Sequence, residues 1–150
     1  MTEIDIPSER HWTNACLKPP QTSMENGPAR IDAGVVYPDD IANHNAKVIG
    51  IYVMDPFGWG PSSTTFAGIM KTGEPYLVKY FRKLLGSNGY KMLKEKGAKT
   101  IVGGPGAWQF QHNLFFLKKY RIDGVNEGEG EYALTLFKKA VEGKELPQFY

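Results

Sequence analysis

The sequence predicts an α/β protein built on a parallel sheet, either doubly wound or half of such a fold. Three observations carry that expectation. From residue 31 onward, short apolar runs alternate with segments of helical periodicity. The longest apolar run, Val48 to Met54, shows no polar alternation, as expected of a strand covered on both faces. Each of three apolar runs ends in a glycine-rich loop, at 55–61, 103–106 and 127–130. Right-handed crossovers would gather those loops at one sheet edge, outside the carboxyl ends of the strands, where ligands bind in such folds.

The elements follow in order. Residues 1–30 contain Pro19, Pro20, Gly27 and Pro28 among polar residues and read as an extended or partly disordered arm. The domain then occupies 31–150. Val35 to Tyr37 is a very short strand stopped by Pro38, and Pro38 to Asp40 opens a helical turn. Val48 to Met54 is the first long strand, ended by Asp55-Pro56. Ser62 to Thr65 suit the cap of a following helix. Pro75 to Lys96 is helical, with Leu77, Tyr80, Phe81, Leu84 and Leu85 on one face and a break at Gly86 to Gly89. Gly97 stops it, behind Lys94 and Lys96. Thr100 to Val102 is the second buried strand. "QFQHNLFFLKKY" is one helix with Phe110, Leu114 and Leu117 inward, and Ile122 to Val125 is the third strand. "EYALTLFKKAVEG" is an amphipathic helix with Tyr132, Leu136, Phe137 and Ala140 inward.

Composition limits the function classes. The 150 residues suit one domain with one core, 41% of them hydrophobic and 23% charged. The net charge of +2, with Lys scattered over helix faces, argues against nucleic acid as a partner. One cysteine, Cys16, makes no internal disulfide and holds neither zinc nor an iron–sulfur cluster alone, so the expected location is the reducing cytoplasm. No apolar run reaches the ~18 residues a membrane span needs.

The glycine loops admit two readings. In the mechanical one, Gly and Pro serve turn geometry. In the chemical one, bare backbone at Gly58, Gly60, Gly103, Gly104, Pro105, Gly106 and Gly128 receives a flat or bulky ligand. Ser62, Ser63 and Thr64 then donate hydroxyls beside a helix N-terminus. Asp55 either accepts from a ligand amide or caps its own loop. Glu127, Glu129 and Glu131 either do acid–base or metal chemistry or favour a helix start electrostatically. Trp59 and Trp108 either cover a ligand or pack over loop ends. "GGPGAW" is neither a Walker loop nor the dinucleotide fingerprint.

"KVIGIYVMDPFGWGPSSTTF", "KTIVGGPGAWQF" and "IDGVNEGEGEYALTLFKKAVEGKELP", in this order and spacing, resemble the cobalamin-binding domain that precedes the catalytic barrel of many radical S-adenosylmethionine (radical-SAM) enzymes. The resemblance covers about residues 31–147. It implies a flavodoxin-like (Rossmann-like) doubly wound sheet, lacking or swapping its first strand. It implies a corrin ring against the carboxyl ends of the strands, with a nucleotide tail entering the sheet edge. The cofactor-binding residues so assigned are Asp55, Gly58, Gly60, Ser62, Ser63, Thr64, Gly103, Gly104, Pro105, Gly106, Glu127, Gly128 and Glu129, with no catalytic residue and no protein metal ligand.

Two departures qualify what the resemblance implies. The cobalamin-carrier motif Asp-x-His-x-x-Gly is missing: none of His11, His44 and His112 has a Gly at that spacing. The three clustered cysteines of the catalytic half are missing too, so no iron–sulfur cluster or SAM site is expected in this chain. The chain is then a cut-out or a relic of such an enzyme, not catalytic alone, serving methyl-transfer-type chemistry done by a radical-SAM module in cis or trans. Without a first strand, the sheet either exchanges strands in a homodimer or lets the arm fill the gap. The alternatives are a cofactor-free structural or regulatory α/β domain, and a flavodoxin-like domain binding a flavin or nucleotide at the same edge.

Overall fold

The computed structural model describes residues 14–18, 32–36, 40–71 and 73–150. The rest of the arm and Tyr37 to Asp39 lie outside the described residues. The described chain is mixed α/β. Its strands are β1 (Asn14–Lys18), β2 (Asp32–Val36), β3 (Val48–Tyr52), β4 (Lys99–Gly103) and β5 (Gly124–Asn126), in the sheet order β2-β1-β3-β4-β5. The pairs β3–β4 and β4–β5 are parallel, as the alternation of strand and helix predicts. β1 is antiparallel to both β2 and β3, so the sheet is mixed rather than wholly parallel.

β1 is a regular strand within the arm that the sequence reads as extended or partly disordered. This piece of the arm lies beside β3, with Asn14 opposite Ile51 and Leu17 opposite Val48. In the described chain a piece of the arm thus lies along the edge of β3 that a missing first strand would leave open. β2 runs Asp32–Val36 and includes Val35 and Val36 of the expected strand, Tyr37 lying outside the described residues; a 3₁₀ segment follows at Ile41–Asn43.

Five helices complete the described chain: α1 (Pro61–Met70), α2 (Tyr76–Gly86), α3 (Asn88–Glu95), α4 (Leu114–Tyr120) and α5 (Gly130–Val141). Strand alternation decides which helix packs where. Ile49, Ile51, Val102 and Val125 point to the face covered by α2, α3 and α4, whose Phe81, Leu84, Leu85, Tyr90, Leu93 and Leu117 close the larger core. Val48 and Ile101 point the other way, to Leu136 and Ala140 of α5. The break between α2 and α3 falls at Ser87, whose Oγ accepts from the Tyr90 N–H and donates to the Leu84 carbonyl.

Several helical positions differ from the sequence expectation. α2 buries Val78 with Phe81, Leu84 and Leu85, in place of Leu77 and Tyr80. The predicted single helix after residue 108 is a 3₁₀ segment, Ala107–His112, and a separate α4 starting after Asn113. That break turns Leu114 outward, to 47% exposure, whereas Phe110 and Leu117 are buried as expected. Tyr132 also faces out, while Leu136 and Ala140 are buried.

Candidate functional site: the carboxyl rim of the parallel strands

β3, β4 and β5 run side by side and end on one rim, so the loops after them converge there. The convergence is held by specific bonds. The Gly106 N–H donates to the Val53 carbonyl at 3.0 Å, and the Phe57 N–H donates to Gln109 Oε1 at 3.1 Å. Gln111 Nε2 donates to Glu127 Oε2 at 2.6 Å. Trp59 and Trp108 meet with ring centroids 6.0 Å apart, His112 standing beside both.

Asp55 organises the first loop. Its Oδ1 accepts from the Trp59 N–H at 2.9 Å and from Gln109 Nε2 at 2.7 Å, and its Oδ2 accepts from the Gly60 N–H at 2.9 Å. Ser63, itself buried, adds a side-chain hydrogen bond. Burial alone would push this carboxyl up, but the donors of Ser63, Gln109, Gly60 and Trp59 outweigh it and hold the pKa below the usual value. Both carboxylate oxygens are engaged by the protein's own chain, the cap reading of Asp55. A group with a depressed folded pKa stabilises fully above its unfolded value, ~3.9. That contribution disappears as pH falls through the lower folded value. Asp55→Ala leaves the four donors of Ser63, Gln109, Gly60 and Trp59 without their acceptor and is expected to cost about 2–4 kcal/mol. Asp55→Asn is expected to flatten the acid limb of stability, measured by denaturant titration against pH.

The hydroxyls of α1 divide in the same way. Thr64 Oγ1 donates to the carbonyls of Gly60 and Pro61, Ser63 serves Asp55, and Ser62 stays exposed. Glycines of the first two loops mostly face their own chain. A Cβ on Gly60 would stand 2.8 Å from Asp55 Oδ2, and one on Gly58 3.0 Å from Val78. On Gly104, at φ +110°, it would stand 2.6 Å from the Val53 carbonyl oxygen, and on Gly106 2.5 Å from that of Met54. Gly104 and Gly106 need glycine for close backbone approach and Gly58 and Gly60 for room beside Val78 and Asp55, which is the mechanical answer. Pro105 between them is exposed.

Gly103, Gly128 and Gly130 differ. The nearest atoms to a Cβ on Gly103 or Gly128 would be 3.6 Å away, and Gly130 has nothing within 4 Å. All three line a cleft of ≈380 Å³ between the sheet and α5. Its origin is the period of two along the strands. Val48, Gly50 and Tyr52 share the α5 face of β3, and Ile101 and Gly103 share that of β4. Register sets Tyr52 beside Gly103 and Gly103 beside Asn126, so the row at the strand ends is short of bulk in its middle. Ala133 and Phe137 of α5 complete the wall. Among the described residues, the lining carries no charged side chain, and its volume is that of a small-ligand subsite.

Of the residues assigned from sequence, Gly103, Gly104 and Gly128 line this cleft. Asp55, Gly60, Ser63 and Gly106 are engaged inside the neighbouring loops, Gly58 packs on Pro75 and Val78, and Glu127 ties the third loop to the 3₁₀ segment. Glu129 is the exposed N-cap of α5 and makes no side-chain capping bond. Sequence reasoning missed Gly50, Tyr52, Asn126, Gly130, Ala133 and Phe137. The signal available was the alternation hidden inside "VIGIY" and "TIVGG", which places both strand glycines on one face. Among the described residues, no group of three His, Cys, Asp or Glu is placed to hold a metal ion, and no helix is long and apolar enough to cross a membrane. Comparison with protein-family models, with curated proteins and with solved structures finds no match to this chain.

Proposed function

We propose that this chain is a flavodoxin-like, cobalamin-binding domain that holds a corrinoid at the carboxyl rim of β3, β4 and β5. The reading rests on the resemblance of three segments, and one structural observation supports it: the uncharged, glycine-walled cleft that opens on the rim where the three loops meet. The cleft is too small for a corrin ring, so the ring would lie across the rim, against Tyr52, Gly104 and the third loop. The cleft would take the smaller nucleotide tail. The residues present fit such a group at Gly103, Gly128 and Gly130, where the backbone is open. The corrinoid would supply the methyl-carrying cobalt, and the methyl-transfer-type chemistry would belong to a radical-SAM module in cis or trans. The chain itself binds and orients. A second copy, if one pairs, would add to the outer edge of β2.

Mixing the purified chain with hydroxocobalamin and then desalting tests the reading. Retained red chromophore with a shifted absorbance spectrum is the expected result. Colourless protein with unchanged thermal stability favours a cofactor-free domain. Flavin-like absorbance after purification favours a flavodoxin-like domain for another ligand. The cofactor-free reading draws support from Gly58, Gly60, Gly104 and Gly106, whose want of side chains the protein's own packing explains.

A further inference from the structure

Asn126 ends β5 inside the cleft and is 3% exposed. Its Nδ2 donates to the carbonyls of Gly128 and Glu129, at 3.3 and 3.4 Å. These bonds fix the amide's orientation, because turning it over would set Oδ1 against two carbonyl oxygens. Oδ1 is left without a hydrogen-bond partner, the one such buried side-chain oxygen or nitrogen among the described residues. Buried acceptors are normally paired, and an unmade bond at one destabilises the fold. A leucine at this strand end would carry no such penalty. The oxygen is closed to water in this structure, and a Cβ on Gly128 would stand 3.8 Å from it in ordinary contact, so a donor reaches it as the Gly128 turn shifts.

We propose that Asn126 is the specificity-determining residue of the cleft: Oδ1 accepts one hydrogen bond from an O–H or N–H at the buried end of the ligand. The proposal deepens the cofactor reading of the rim and rests on it for the ligand's identity. Among the described residues the lining offers no counter-charge, which favours a neutral buried end over a phosphate or ammonium group that would be desolvated there. Tyr52 and Phe137 offer it flat apolar walls. The chemistry is thus a neutral, donor-bearing ring or sugar hydroxyl.

The test follows the Asn126 side-chain amide signals of the ¹⁵N-labelled chain during titration with hydroxocobalamin, flavin mononucleotide and adenosine, three probes that carry such donors on different frameworks. A shift of the Asn126 signals with hydroxocobalamin, and a roughly 10- to 100-fold affinity loss in Asn126→Leu, is expected. The same behaviour with flavin mononucleotide or adenosine alone upholds the role of Asn126 and overturns the cobalamin reading. Hydroxocobalamin bound with Asn126 signals unmoved and Asn126→Leu affinity unchanged overturns the role and leaves the cobalamin reading standing. Unmoved signals with all three probes overturn the role. Should Asn126→Leu fail to fold, Gly128→Ala decides. It keeps both Nδ2 bonds, sets a methyl group against Oδ1, and is expected to lower affinity by a similar factor. Unchanged affinity in that variant overturns the role.

Discussion

Asp123→Ala is expected to cost about 3–5 kcal/mol at neutral pH, because it strands a buried ammonium. Lys94 is 4% exposed, and its Nζ donates to Asp123 Oδ2 at 2.5 Å and to the Ala98 carbonyl at 2.8 Å. The same Oδ2 accepts from the Thr100 N–H at 2.7 Å, so one carboxylate ties α3 and the start of β4 to the turn before β5. Lys99 adds a longer, more exposed contact at 3.4 Å. Burial depresses the Lys94 pKa, and Asp123 partly restores it. The sign of the pH dependence follows. Above the folded pKa the unfolded chain binds the extra proton, so this group's contribution to stability rises with pH until the unfolded value near ~10.4 is reached. Removing Asp123 deepens the depression. The variant is therefore expected to recover part of its loss between neutral pH and about pH 9, more than the wild type gains. Urea denaturation at the two pH values measures it, and a loss under about 1 kcal/mol would put Lys94 in contact with water.

The parallel half of the sheet was legible because its strands are β-branched runs between amphipathic helices, a pattern that burial on both faces imposes. β3, β4 and β5 fall where "VIGIYVM", "TIV" and "IDGV" put them, to within a residue or two. β1 was not legible. In "NACLK" the apolar run is only Ala15 to Leu17, with Pro19 and Pro20 close behind it, and pairing with β2 and β3 through the main chain leaves no periodic trace in the sequence. The break at Asn113 was hidden for a different reason. Leu114 and Leu117 satisfy a helical stripe equally well whether or not the helix runs on from Phe110, and only the C-cap geometry of the 3₁₀ segment decides. The site was half legible. Glycine content pointed to the rim, but a glycine required by a carbonyl and one facing open space are the same letter. Asn126 gave no signal beyond being polar at the end of a buried strand.

Gly106→Ala and Gly130→Ala are expected to give opposite results, and the contrast tests that distinction. At Gly106 the added methyl carbon would sit 2.5 Å from the Met54 carbonyl oxygen and 2.6 Å from Pro56 Cδ. Neither can retreat as a flexible side-chain tip would. Both belong to the loop that Asp55 and Gln109 fix, and the Gly106 N–H holds the Val53 carbonyl at 3.0 Å. Overpacking of main chain on main chain is expected to cost about 3 kcal/mol or more, seen as a lowered thermal midpoint. At Gly130, the first residue of α5, nothing lies within 4 Å of the same methyl group. Alanine there removes unfolded-state freedom and favours the helix, so stability is expected to hold or rise by a few tenths of a kcal/mol. The methyl group instead narrows the cleft, and retention of hydroxocobalamin is expected to fall. A Gly130→Ala chain that binds as the wild type does would return this glycine, like Gly106, to the mechanical class, and a Gly106→Ala chain of unchanged stability would remove the reason for separating the two.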